Sequence, residues 1–291
     1  MQIRHLLLVL MIMMIFGSAY PVGKLTLNTS LPPLLFASIR MGIVFLCLLP
    51  FCKIKLIDSK SILPLLGFAL CMGVGVFMFM NLALKHSDSV SAIIIGTQLS
   101  VPFGILISSY WLKERFSRQK WFWIFGACAG IAIVGFDPDT MNNNLGLFFV
   151  AIMSFFYAYA NVISRYINHL PVTTINAVMG LAGAVILFPL SIVFEGDFIT
   201  HITEMSWDTW LLIFHSALII SLIAHQSMFY LYKFYPVGQV LPFYSLFPIF
   251  GLIQTFIIFN EVPTLLFYIG TAIVLGSVFM LNKKKNFLAK N

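Results

Sequence analysis

What this sequence has least of is charge. Asp, Glu, Lys and Arg together make up 9% of its 291 residues, whereas apolar residues make up 60%. A soluble domain of this size carries about a quarter charged residues, so in water this chain would be forced to expose apolar surface. Its mean hydropathy of +0.98 points to lipid as the solvent. Other absences narrow the chemistry. No Asp or Glu interrupts the long apolar runs, which leaves proton or sodium coupling without an obvious seat and an intramembrane enzyme without clustered acids or a His–acid pair. No P-loop is present, which argues against primary pumping. The four cysteines (Cys47, Cys52, Cys71 and Cys128) form no C-x-x-C pair. They read as small apolar residues, and neither a disulfide framework, a metal site nor a cofactor is expected.

What is there is a series of long apolar runs. A spanning helix needs about 20 apolar residues, and the runs divide where charges, Pro and Asn cluster. They predict helices over about 5–25, 33–51, 62–84, 90–112, 119–136, 144–167, 172–194, 209–232, 237–259 and 264–282. Runs this long exclude barrel strands, leaving an all-α polytopic membrane protein of ten transmembrane helices. Arg4 followed by the run from Leu6 to Met14 resembles a signal peptide, but the run continues through Phe16 and Tyr20 without a clean cleavage site. We read it as a retained first helix.

The cations orient the chain. With a cytoplasmic N-terminus, the inner side holds all Lys and Arg but Lys24, Arg40 and Lys85. Such asymmetry is the positive-inside pattern, so the net charge of +7 reflects topology and no nucleic-acid partner. Both termini are expected in the cytoplasm, in a bacterial-type inner membrane, as a monomer or homodimer. Trp111, Trp121, Trp123, Trp207 and Trp210 all fall at predicted interfaces.

The two halves echo each other. The run Gly96-Thr97-Gln98-Leu99-Ser100-Val101-Pro102 leads into an apolar stretch ending at Glu114, and Pro242 to Pro248 leads into one ending at Glu261. A glycine-spaced helix follows each time, with Gly126 and Gly130 in one and Gly270 and Gly276 in the other. Phe16-Gly-Ser-Ala-Tyr20 with Lys24 is matched by Phe156-Tyr-Ala-Tyr159 with Arg165. The repeats are expected over 1–140 and 141–291; five spans is odd, so the second is inverted, a transporter design with its site between the halves.

These segments, in this order and spacing, resemble the drug/metabolite transporter superfamily, specifically its EamA-type members with ten helices in two repeats. The resemblance runs through Phe16–Lys24, Phe36–Pro50 with Arg40, Asn81–Gly96, Pro102–Gly135, Ser154–Arg165 and Ser221–Leu281. Phe16 stands where relatives often carry Trp, and Lys113 where they often carry Gly. The resemblance implies alternating access about a central cavity. Similar proteins export amino acids and related metabolites; others import nucleotides, nucleotide sugars or cofactors such as S-adenosylmethionine.

Arg40 leads the candidate substrate-binding residues. It lies several residues inside the second helix, roughly 10 Å below the boundary at the helical rise, where a cation must be paired, wetted or met by a substrate anion. His225, sharing a helix face with Ser221, is read as a titratable group or a neutral histidine bonded to a neighbouring helix. Ser18, Tyr20, Asn81, Thr97, Gln98, Tyr157, Asn161, Tyr244 and Ser245 complete the expected cavity, with Pro102 and Pro248 bending helices beside it. Lys24 and Arg165 read as mouth charges or as snorkelling cations, and Glu114 and Glu261 as structural partners of loop groups. The expected function is secondary transport of small polar metabolites, amino acids or related carboxylates foremost, with efflux as the direction and no enzymatic activity.

Overall fold

The computed structural model describes residues 2–111, 113, 117–136, 144–232, 234–235 and 240–282. Among them no strand occurs, as lipid requires: a helix satisfies its backbone hydrogen bonds within itself. Among the described residues, seven helices are long and apolar enough to cross a membrane alone. They are α1 (Ile3–Asn28), α2 (Pro33–Phe51), α3 (Ser59–Lys85), α4 (Val90–Trp111), α6 (Leu145–Tyr166), α7 (Val172–Glu195) and α8 (Trp207–Met228, helical on to Tyr232). The more polar α5 (Arg118–Gly135) and the shorter α9 (Phe247–Phe259) and α10 (Leu265–Leu281) bring the long helices among the described residues to ten.

Packing repeats itself between the halves. Helix α2 lies along α7 and α5 along α10, each pairing with its own counterpart. Helix α1 packs on α9 and α8, while α6 packs on α4 and α3, the same relation with the halves exchanged. The chain is thus a bundle of two inverted five-helix repeats. Close approach needs small residues in lipid, where no hydrophobic force drives helices together. A Cβ on Gly17 of α1 would stand 2.7 Å from the backbone nitrogen of Gly251 in α9, so this crossing tolerates no side chain.

Irregular segments follow the same symmetry. The third helix of each repeat contains a π-helical stretch, Ala69–Val76 in α3 and His215–Ala224 in α8. The fourth carries a 3₁₀ stretch shortly before its proline, Thr97–Leu99 in α4 and Leu241–Leu246 leading into α9. Helix α1 is interrupted at Ser18, ahead of Pro21. Departures from α geometry at membrane depth concentrate where backbone must make room for something.

Side chains from distant parts of the chain fasten the helix ends at the face where α2 and α4 begin. Glu195, at the end of α7, accepts the N–H of Leu34 at 2.7 Å and of Leu35 at 3.0 Å, capping the start of α2. Glu261, just beyond α9, accepts from Val90 N at 3.1 Å, Ser91 N at 3.2 Å and Ser89 Oγ at 2.5 Å, capping α4. Carboxylates suit the positive ends of helices, whose first N–H groups lack partners. At the opposite, cation-rich face, Ser61 bonds Asp58 and approaches His169 Nε2 at 3.0 Å, tying the start of α3 to the α6–α7 connector.

Candidate functional site

Arg40 sits at the meeting of α2, α3 and α8 and is 3% exposed. Its Nε and Nη2 both donate to Ser221 Oγ, at 3.3 and 3.0 Å, and its guanidinium carbon lies 4.7 Å from the centre of the Phe77 ring. Ser221 in turn donates to Ser216 O at 3.0 Å, so its lone pairs are what Arg40 uses. Ser221 and Ser216 lie in the π stretch of α8, and Phe77 directly follows the π stretch of α3. Among the described residues no carboxylate pairs with this cation. A buried cation held by one hydroxyl and a ring face is under-satisfied, since guanidinium offers five N–H donors.

Polar and aromatic groups of four further elements gather beside it. Tyr20 stands beside the Thr97 side chain and within electrostatic reach of Arg40 and Tyr157. Thr97 Oγ1 donates to Ile94 O at 2.7 Å and accepts from Gln98 Nε2 at 3.2 Å. Ser154 Oγ approaches Gly96 O and Thr97 O at 3.4 Å, joining α6 to the 3₁₀ stretch of α4. His225 Nδ1 meets Ile220 O at 3.0 Å within its own helix. A carbonyl only accepts, so the proton resides on Nδ1 and Nε2 is left as an acceptor in the neutral ring. Phe16 stands 4.9 Å from the His225 ring and is stacked on Tyr244 at 5.6 Å, and Tyr20 is stacked on Phe247 at 6.4 Å.

Arg40, Tyr20, Thr97, Gln98, Tyr157, His225 and Tyr244 are therefore gathered in one region, although they come from both halves of the chain. Others are engaged elsewhere. Ser18 Oγ donates to Ile15 O at 2.7 Å within its own turn. Asn81 is fully buried, and its Nδ2 donates to Pro33 O at 3.0 Å while its Oδ1 finds no partner among the described residues. Asn161 Nδ2 donates to Tyr157 O at 2.9 Å on an exposed turn. Lys24 Nζ donates to Leu84 O at 2.9 Å and Ser87 O at 2.7 Å, capping the end of α3. Arg165 lies at the cation-rich end of α6. Ser245 falls in the 3₁₀ stretch before α9, and Glu114 lies outside the described residues.

Sequence reasoning passed over Ser221 and Phe77 as partners of Arg40, and Ser216 beside them. Ser221 was legible only as sharing a face with His225. In a π turn the spacing is wider, and Ser221 bonds Ser216, five residues back.

A profile of the EamA-like transporter family matches residues 3–136 and again 144–283. The chain belongs to the EamA-like transporter family. It is also 24% identical to the Bacillus subtilis (strain 168) protein named "Uncharacterized transporter YetK", over 94% of this chain and 85% of that protein. A protein crystal structure superposes with a TM-score of 0.60 at 17% identity, covering 96% of each chain, which supports the fold alone. In this EamA-like membrane transporter the gathered polar residues come from helices of both repeats.

Proposed function

We propose that this EamA-like protein is a secondary carrier for small metabolites bearing a carboxylate, with amino acids as the main class, and that net movement is outward. The observation that carries this reading is Arg40: a buried guanidinium whose hydrogen bonds among the described residues go to Ser221 alone. An arriving carboxylate offers the planar, two-oxygen partner that the fork of an arginine favours. Tyr20, Thr97 and Gln98 then face the rest of a polar cargo, and His225 Nε2 supplies an acceptor for an ammonium group.

The repeat boundary near 140 and an inner-membrane location with both termini cytoplasmic fit this reading, because the cations then gather on the inner side. Glu195 and Glu261, two carboxylates at the ends of spans, are engaged at helix starts. Exchange or facilitated diffusion therefore serves the carrier better than proton coupling. A second reading, uptake or exchange of a nucleotide-type metabolite, is favoured by the rings of Phe16, Tyr244, Tyr20 and Phe247, which offer faces for a flat base.

The test is counterflow of radiolabelled amino acids and nucleotides in proteoliposomes, with Arg40→Ala beside the wild type. Arg40→Ala should abolish flux while the protein remains inserted and monodisperse. Unchanged flux in that variant would remove Arg40 from the cargo site.

A further inference from the structure

On the face where α2 and α4 begin, the turn joining α1 to α2 meets the segment joining α7 to α8 across a cavity of about 300 Å³. One wall is apolar: Leu31 is buried, and Met205 packs against the core cluster to which Leu31 belongs. The other walls are polar. Thr29, Ser30 and Ser206 supply hydroxyls, His201 an imidazole and Glu204 a carboxylate. His201 and Glu204 are three residues apart at the end of a short helix (Phe198–Thr203), so they share one side of it.

The charge here has one sign. The Glu204 carboxylate makes no hydrogen bond or ion pair among the described residues, and no Lys or Arg among them lines the cavity. Asp197 adds a second acid one turn before His201, within its electrostatic reach. Thr29 and Glu204 are also the residues at which α1 and the short helix end, so the negative termini of two helices meet this space. The last turn of α1 holds no basic residue to offset them. Thr29 Oγ1 donates its proton to Thr26 O at 2.7 Å, which leaves its lone pairs for a donor.

We propose that this cavity is a second binding site, which takes the primary ammonium group of a small amine. Such a group carries three N–H donors. It pairs with Glu204 and donates to Thr29 Oγ1 and to the unprotonated nitrogen of neutral His201, while the attached carbons lie against Leu31 and Met205. The proposal rests on the carrier reading in one respect, and deepens it: an amino acid set down on this face presents such a group. Phosphatidylethanolamine in the adjoining lipid presents the same chemistry from its headgroup.

The experiment follows thermal unfolding of the full-length protein in neutral detergent. One arm titrates ethylammonium chloride against sodium chloride at matched ionic strength, with tetramethylammonium as a cation that has no N–H. The other titrates phosphatidylethanolamine against phosphatidylcholine in mixed micelles. Stabilisation by ethylammonium names a dissolved amine as occupant, and stabilisation by phosphatidylethanolamine alone names the lipid headgroup. Glu204→Gln should raise the half-effect concentration about fivefold, the upper end for a pair at an exposed carboxylate. Glu204→Lys should abolish the effect, and Asp208→Asn, a neighbouring acid outside the lining, should leave it unchanged. The site is overturned by the absence of stabilisation in both arms, by an equal response to tetramethylammonium, or by equal losses in Glu204→Gln and Asp208→Asn. Stabilisation by zinc that His201→Ala and Glu204→Gln both remove, with none by ethylammonium, would make this a metal site and overturn the amine. Ethylammonium lacks the carboxylate that Arg40 would hold, so its effect should survive Arg40→Gln. Its absence beside intact Arg40-dependent flux removes this site and leaves the carrier reading; its presence where Arg40→Ala leaves flux unchanged does the reverse.

Discussion

Gly130 of α5 and Gly270 of α10 lie backbone to backbone: a Cβ built on either would come within 2.8 Å of the other's carbonyl oxygen. These are the fifth helices of the two repeats, and they cross where neither carries a side chain. Gly276, also on α10, has nothing within 4 Å of its Cβ position.

The pair therefore yields a controlled contrast. Gly130→Leu should destabilise the purified protein by about 2 kcal/mol or more, because backbone atoms of α10 cannot move aside as a side chain would. Gly276→Leu should leave unfolding nearly unchanged. Equal effects of the two in a thermal or denaturant melt would mean that the crossing is looser than this geometry.

Arg40→Lys keeps the charge and loses the planar fork. If two-oxygen recognition by Arg40 is what holds cargo, flux should fall at least about tenfold, since a point charge does not reproduce bidentate geometry. Ser221→Ala, which removes the resting partner, should lower the apparent KM or leave it unchanged. A rise in KM for Ser221→Ala, measured by initial rates in proteoliposomes, would instead make the hydroxyl a cargo contact.

Glu195→Ala and Glu261→Ala should each cost about 1–3 kcal/mol, the range for stranding partly buried donors at a helix start. Glu195→Gln should cost less, because one oxygen still accepts while the other, which bonds Leu35 N, is lost. Melts of the three variants read this directly, and an unchanged Glu195→Ala would mean that water caps α2 equally well.

At the cation-rich face, the Ser61 hydroxyl is the chief cause holding the Asp58 carboxyl below the usual carboxylate range, with lesser help from backbone N–H and His169. A depressed folded value means that the carboxylate contributes stability above its unfolded pKa of about 4 and loses it as pH falls through the folded value. Wild type should therefore exceed Asp58→Asn in melting temperature at neutral pH and converge with it under acid. A gap that persists at the lowest accessible pH would point to a steric cause.

The spans were legible because lipid imposes one rule on every segment that crosses it. The sequence-based boundaries differ from α2, α4 and α7 by at most a residue at either end. The repeat was legible too, since Thr97-Gln98 before Pro102 and Tyr244-Ser245 before Pro248 share an order that the matching 3₁₀ stretches explain. Helix-end chemistry was not. Glu195 reads as one more outer-loop acid, and nothing local tells that it caps a helix 160 residues earlier. Lys24 reads as a snorkelling cation for the same reason, yet its amine closes the end of α3. Tryptophan placement was partly legible: Trp207 is exposed, while Trp210 packs into the core and the buried Nε1 of Trp123 finds no partner among the described residues. Such pairings are decided by which helices become neighbours, and that is a property of the whole bundle.

The π stretch of α3 also acts as a register offset. A π turn carries more residues than an α turn, so everything beyond Val76 is rotated about the helix axis relative to an unbroken α-helix. Each residue of a regular helix turns the chain by roughly 100°. Shortening Ala69–Val76 by one residue would swing Phe77 away from beneath Arg40 and turn Asn81 off the start of α2. The length of this stretch, more than the identity of its apolar residues, is then what natural variation at this position has to preserve.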